Sequence, residues 1–233
     1  MITTLLFDLD GTLTLSGDQD FMKGYLGLLV PRFSHLMSAD KFVAQMLSST
    51  EVMKHNRDGS RRNIDVFMDD FCTNSGLSRF LVEPVFDDFY QYEFPELKER
   101  CKPHPLAREV VKTALDQGLK VAIASNPVLP EIAMRERLKW AEIGDLPLMY
   151  LPSIEKMHYC KPQVEFFHEL LEKIEAKPSE CLMVGDDGEE DMVASEIGMH
   201  TYFIDRKSDE TTYKPSYVGN LDHLLQLIEK ISR

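Results

Sequence analysis

The sequence predicts an α/β fold: a doubly wound parallel sheet with a helical domain inserted after its first strand. Three observations carry that expectation. Short apolar runs recur along the chain, helical patterns separate the later runs, and the stretch between the first two runs breaks the alternation. The runs lie at residues 2–7, 119–124, 147–151, 181–185 and 201–204, and each reads as a buried strand. Residues 105–117 put Leu106, Val110, Val111, Ala114 and Leu115 on one helical face, with Pro105 opening the helix and Gly118 stopping it. Residues 162–176 do the same with Phe166, Phe167, Leu170, Leu171 and Ile174. A helix over 189–197 would end at Gly198, and Leu221, Leu224, Leu225, Ile228 and Ile231 suggest a last helix after Asn220. Strands alternating with helices of this length imply βαβ units and hence a parallel sheet.

Residues 18–100 carry helical spacings instead: Phe21, Tyr25, Leu28 and Leu29, then Phe42, Val43, Met46 and Leu47. Ile64, Phe67, Met68 and Phe71 follow, and then Phe80, Leu81, Val85 and Phe89. The simplest account is a helical domain over 16–99, set into a core made of residues 1–15 and 100–233.

Composition narrows the class of function. The chain has 233 residues, 43% of them hydrophobic, which is enough for a sizeable core. Its net charge of −13 argues against nucleic acid and against an anionic membrane surface, both of which need clustered Lys and Arg. Cys72, Cys101, Cys160 and Cys181 show neither the spacing of a zinc site nor a compact disulfide framework. The first residues lack the basic start and cleavage site of a signal peptide, and no apolar run nears the ~20 residues of a membrane span. A cytoplasmic protein with reduced thiols is expected.

The first run ends in Phe7-Asp8-Leu9-Asp10-Gly11-Thr12. In extended chain, residues i and i+2 point the same way, so Asp8 and Asp10 project together beyond the strand end. The fourth run ends in Gly185-Asp186-Asp187-Gly188-Glu189-Glu190-Asp191, a second acidic cluster. Adjacent carboxylates repel and call for a cation or a shared proton, and the C-terminal edge of a parallel sheet is where ligands bind. The two clusters together make an oxygen cage suited to Mg²⁺. Glu189 and Glu190 have a plainer reading, as charges complementing a helix start. A calcium loop beginning at Asp8 fails, because its sixth and twelfth positions are Leu13 and Gln19. Ser125-Asn126 closes the second run ahead of a helical stretch from about 128 to 140, where a hydroxyl and free N–H groups make either an anion site or a simple N-cap. Lys161 before Pro162 opposes the helix dipole there, so a fixed carboxylate or phosphate partner is expected.

In this order and at these strand ends, the motifs Asp8-Leu9-Asp10-Gly11-Thr12, Ser125-Asn126, Lys161-Pro162 and Gly185-Asp186-Asp187 through Asp191 resemble the haloacid dehalogenase (HAD) superfamily of phosphohydrolases. The resemblance covers roughly residues 1–15 and 100–206, and it implies a Rossmann-like core. The inserted helices match the position and type of the family's C1 cap. Leu15 departs from an acidic residue common after the first motif, and Asp187 from a frequent Ser or Thr.

The resemblance implies a Mg²⁺-dependent phosphohydrolase acting on a small phosphorylated metabolite, as a monomer or homodimer. Asp8 would be the nucleophile that becomes an aspartyl-phosphate, and Asp10 the general acid and base. Mg²⁺ would be held by Asp8, the Asp10 carbonyl and Asp186, with Asp187 binding the metal or its water. Ser125, the Asn126 backbone and Lys161 would hold the phosphoryl oxygens, while Thr12 and Asp191 support them, Asp191 by orienting Lys161. Dehalogenases of the superfamily typically lack the second aspartate, so Asp10 disfavours that activity. A phosphosugar mutase shares the same core residues and is the alternative within the family. A non-catalytic phosphate-binding or regulatory protein is the alternative outside catalysis.

Lys54, His55, Arg57, Arg61 and Arg62 gather around a turn at Asp58-Gly59-Ser60 in an otherwise acidic chain. They read either as a solvated cluster paired with the acidic surface or as a loop over the active site. In the second case Arg61 and Arg62 would bind a further anionic group of the substrate.

Overall fold

The computed structural model describes residues 1–15, 18–204 and 211–231. In chain order, β1 (Thr4–Phe7) is followed by α1 (Asp18–Arg32), α2 (Ala39–Lys54), α3 (Asn63–Ser75) and α4 (Arg79–Tyr92). A 3₁₀ segment, Phe94–Arg100, leads back to α5 (Ala107–Asp116), β2 (Lys120–Ile123) and α6 (Glu131–Trp140). Then come α7 (Val164–Lys173), β3 (Cys181–Gly185), a 3₁₀ turn at Met192–Ile197, β4 (His200–Ile204), β5 (Tyr217–Gly219) and α8 (Leu221–Ile231). Among the described residues no helix is long and apolar enough to cross a membrane, and the four cysteines are unbridged.

The strands form one parallel sheet in the order β2-β1-β3-β4-β5. Its interior strands are apolar on both faces because helices cover both. Leu5, Phe7, Val121, Ile123, Leu182 and Val184 point into one core, shared with α5, α6 and α8. The alternate residues Leu6, Ala122 and Met183 point into the other, against Phe166, Phe167, Leu170 and Leu171 of α7. This is the doubly wound architecture expected from the alternation of runs.

The structure departs from the sequence reading in four places. Residues 147–151 are not a sheet strand. They run beside β2 with two backbone bonds, Met149 N–H to Val121 O at 2.7 Å and Ile123 N–H to Tyr150 O at 3.1 Å, and Pro147 and Pro152, lacking N–H donors, limit any longer ladder. The short edge strand β5 was hidden because Tyr-Val-Gly is no apolar run and Val218 is exposed. The helix expected over 189–197 is a turn followed by the 3₁₀ segment from Met192. Helix α6 starts at Glu131, later than the expected 128, because Pro130 disfavours helical backbone at Leu129.

Helices α1–α4 lie between β1 and β2 in sequence and pack through an aromatic cluster. Phe33 stacks on Phe42 at 4.3 Å between centroids, and Phe71 and Phe86 meet Phe33 at 6.1 and 4.9 Å. The cap is not set apart by a polar seam: Phe94 stacks on Trp140 of α6 at 5.2 Å, and buried cap residues such as Phe42 belong to the same apolar cluster as Leu5. The two crossings between cap and core lie side by side. Leu15 N–H donates to Lys102 O at 2.8 Å, His104 N–H donates to Leu13 O at 2.9 Å, and Thr14 bridges Pro103 in antiparallel fashion.

Candidate active site

Parallel register brings the motifs to one edge. Phe7 lies opposite Ile123 on one side and Val184 on the other, so the residues just beyond these three emerge together. The ladder continues past the assigned strands, with Asp8 N–H to Val184 O at 2.9 Å and Ala124 N–H to Phe7 O at 2.7 Å. Asp8, Ser125 and Asp186 therefore sit at the C-terminal edge, where a doubly wound sheet binds its ligand.

Lys161 is buried there between two carboxylates. Its Nζ donates to Asp8 Oδ1 at 2.8 Å and to Asp191 Oδ1 at 2.6 Å, and all three residues are almost fully enclosed. This is the fixed partner that its place before Pro162 called for. Carboxylate oxygens of Asp8, Asp186 and Asp191 lie within 4.8 Å of one another. Thr12 Oγ1 donates to Asp186 Oδ1 at 3.2 Å. Two glycines make this approach possible. A Cβ on Gly11, whose φ is +76°, would fall 2.0 Å from Asp186 Oδ2, and one on Gly185 would fall 2.0 Å from Asp191 Oδ2.

Electrostatics follow from burial. Enclosure pushes the Asp8 carboxyl up to about 7, against the pull of Lys161, with Asp191 and Asp10 adding to the rise. Enclosure likewise raises Asp191 to about 6, again opposed by Lys161. Burial works against the Lys161 ammonium, but Asp191 and Asp8 outweigh it and its pKa is raised. Three carboxylates gather around one ammonium, and the donors are all oxygens. That donor set fits a hard divalent cation such as Mg²⁺.

Asn126 ties the motifs together. Its Oδ1 accepts Lys161 N–H at 3.1 Å, while its Nδ2 donates to Glu190 Oε2 at 3.0 Å. Glu190 also receives Lys54 Nζ from the end of α2 at 3.2 Å, so this residue links α2, the loop after β2 and the acidic cluster. Ser125 is buried at the end of β2, but α6 does not begin beside it. The first N–H of α6, that of Glu131, is taken by both carboxylate oxygens of Glu155 at 3.1 and 3.2 Å, and Pro130 rather than Ser125 stands at the N-cap, so Ser125 does not cap this helix. Asp187 turns away from the cluster, its Oδ1 accepting the N–H groups of Glu189 and Glu190 at 2.8 and 2.7 Å. Asp191, read as support for Lys161, does pair with it and joins the oxygen cluster as well.

The basic residues of 54–62 each face a carboxylate. Besides Lys54, His55 lies against Glu51 and Arg57 meets Glu165 at 3.0 Å. Arg61 pairs with Asp69 at 2.5 Å and Arg62 with Asp65 at 3.1 Å, both on α3 itself. The structure does not bring Arg61 or Arg62 to the acidic cluster, and this pairing with the acidic surface is the plainer of the two readings. Arg62 instead lines a cavity of about 300 Å³ between cap and core, with Phe67, Arg79, Tyr90, Val128 and Glu155.

One charged group at the site was not anticipated. Arg137, 4% exposed, donates from Nη2 to Asp10 Oδ1. Its signal was present, since it stands among Ala133, Met134, Leu138 and Trp140 on the buried stripe of α6, where an unpaired arginine is unexpected. Glu190 carried no such signal.

A family model described as haloacid dehalogenase-like hydrolase matches residues 2–198. The chain belongs to that family. Among HAD relatives it is similar to proteins named pyrophosphatase PpaX from Bacillus mycoides (25% identical, covering 100% of this chain and 98% of that one) and Bacillus anthracis (24%, 100% and 99%). Its fold is similar to that of a HAD phosphatase from Thermococcus onnurineus, with a TM-score of 0.63 at 20% identity and 98% of each chain covered. It is also similar to that of a 2-haloacid dehalogenase from Pseudomonas syringae, with a TM-score of 0.67 at 18% identity, covering 99% of this chain and 100% of that one.

Proposed function

We propose that this HAD hydrolase is a Mg²⁺-dependent phosphohydrolase that acts on a small phosphorylated metabolite through an aspartyl-phosphate on Asp8. The observation that carries the reading is the buried Lys161 ammonium, held by Asp8 and Asp191 beside Asp186 at the sheet edge. Phosphate monoester hydrolysis is slow enough that enzymes accelerate it by up to ~10²¹-fold, so nucleophile, acid, cation and anion cradle must act together.

Asp8 Oδ attacks phosphorus while the bond to the leaving oxygen breaks, and Asp10 gives that oxygen its proton. In the second half, Asp10 takes a proton from the water that attacks the phosphorus, and Asp8 is released. Lys161 and Ser125 hold the phosphoryl oxygens, and Asp191 keeps Lys161 in line. Asp8 and Asp186 would hold Mg²⁺, with the carbonyl of Asp10; when bound, the ion offsets the repulsion between an anionic nucleophile and an anionic phosphate. The nucleophile must be ionised to act, and its raised pKa in the absence of a cation makes that compensation necessary. Asp10 also separates this site from a dehalogenase, whose halide leaving group needs no proton.

The relatives named pyrophosphatase make inorganic pyrophosphate a second candidate substrate for the same chemistry. The test is phosphate release from p-nitrophenyl phosphate and from pyrophosphate, each with Mg²⁺ and with excess EDTA. Release with Mg²⁺ alone, abolished by Asp8→Asn, is expected, together with a phosphoryl adduct on Asp8 after acid quench. Full activity in EDTA, or in the Asp8→Asn protein with deamidation excluded, would overturn the reading.

A further inference from the structure

Arg137 is a costly residue to bury. A guanidinium loses its hydration when enclosed, and an apolar side chain of similar volume would fill the space on α6 more cheaply. Its Nε is buried and finds no hydrogen-bond partner among the described residues, so the enclosure is not fully compensated. What the side chain does make is specific. Nη2 holds Asp10 Oδ1, while the guanidinium carbon lies 5.3 Å from the ring centroid of Phe21 on cap helix α1. Phe21 in turn meets Phe94 edge-on at 6.2 Å, and Phe94 stacks on Trp140, three residues along α6 from Arg137. The arginine is thus clamped by the ring of a cap helix on one side and its own anchored helix on the other.

We propose that Arg137 is the positioning residue for Asp10, fixing one carboxyl oxygen so that the other is presented to the leaving oxygen of the substrate. The second oxygen, Oδ2, takes no hydrogen bond among the described residues, and the Asp10 side chain is 37% exposed, so it is accessible to a reacting group. Aspartate has two side-chain torsions to fix, and proton transfer needs heavy atoms within hydrogen-bond reach. A clamp on Oδ1 removes the rotamers that would swing Oδ2 away. The clamp includes Phe21, so the geometry of the acid also depends on the cap being seated. This inference rests on the reading of Asp10 as general acid and base.

The test uses two aryl phosphates of nearly the same shape. Phenyl phosphate has a basic leaving oxygen that needs a proton, whereas the nitro group of p-nitrophenyl phosphate makes its leaving oxygen a far weaker base. The readout is the ratio of kcat/KM on p-nitrophenyl phosphate to that on phenyl phosphate, because kcat/KM reports the step in which the leaving group departs. Asp10→Asn should raise this ratio by about two orders of magnitude, the usual reach of a general acid. Arg137→Met should raise it by about tenfold or more, Arg137→Lys by less, and guanidinium ion added to Arg137→Ala should bring it back toward wild type. Thermal melting identifies any variant that fails to fold, and Arg137→Lys preserves the test if Arg137→Met does not. If Asp10→Asn leaves the ratio unchanged, the acid role of Asp10 falls and the inference with it. If Asp10→Asn raises the ratio while the Arg137 variants slow both substrates equally and guanidinium does nothing, Arg137 is only a packing element and the inference alone is overturned.

Discussion

At the scale of single residues, the site is a problem in charge balance. Both Asp8 and Asp191 bind a proton more tightly in the folded chain than their ordinary 3.8 allows, with folded values of about 7 and about 6. Folding therefore takes up protons, so the metal-free protein has its full stability from these groups below about pH 4 and loses it as pH rises through about 7. Under the proposed function Mg²⁺ binds the ionised carboxylates, so it should raise the melting temperature more at pH 7.5 than at pH 5. Equal shifts at the two pH values would refute this coupling. Lys161→Met removes the one ammonium between two buried carboxylates and should cost about 3–5 kcal/mol at pH 7.5, with a smaller loss at pH 5, where protons can neutralise the pair. Chemical denaturation at the two pH values measures it. These residues were legible in the sequence because each violated a local expectation: Asp8 directly follows a buried apolar run, and Lys161 stands where a helix dipole repels it. Arg137 violated one too, as a cation on the apolar stripe of α6. It took the fold to show what it meets, because Asp10 lies 127 positions away.

At the scale of elements, legibility followed length and periodicity. The helices and the three strands that carry motifs were readable because burial on both faces demands continuous apolar runs. The stretch 147–151 has such a run, yet its flanking prolines confine it to two backbone bonds with β2. The edge strand β5 needs no such run and left no trace. The turn after β1 shows how tightly an element can bind a site. Gly11→Ala puts a methyl into the Asp186 carboxylate and forces a non-glycine residue into left-handed backbone, a cost of about 1–2 kcal/mol for the backbone alone. Activity should fall further than that stability loss implies, with a raised Mg²⁺ requirement. A variant with an unchanged Mg²⁺ titration would mean that Asp186 can relax without consequence. The end of α2 makes a different kind of contact, for Lys54 meets Glu190 and its carbonyl receives Gln163 Nε2 at 2.5 Å. Lys54→Met should accelerate amide hydrogen exchange over residues 54–64 by a few-fold, consistent with a partly exposed pair worth up to ~1 kcal/mol. Unaltered exchange there would show that the backbone bonds of Asn63 and Ile64 to the core suffice to seat the cap.

At the scale of the whole molecule, cap and core share one apolar cluster, joined through the stack of Phe94 on Trp140. Unfolding should therefore be a single transition by calorimetry, with calorimetric and van't Hoff enthalpies in agreement, rather than separate melting of the inserted helices. Two resolved transitions would show that the shared cluster does not couple the parts. The side-by-side crossings at 13–15 and 102–104 bear on ancestry as well as on stability. A chain that leaves a sheet and returns beside its point of departure can exchange everything in between without any strand changing register. The enclosed helices are in that sense a replaceable module with a fixed socket. Drift or recombination can rewrite the inserted helices while the strand ends keep their places, provided that the new module still braces Arg137 as Phe21 does.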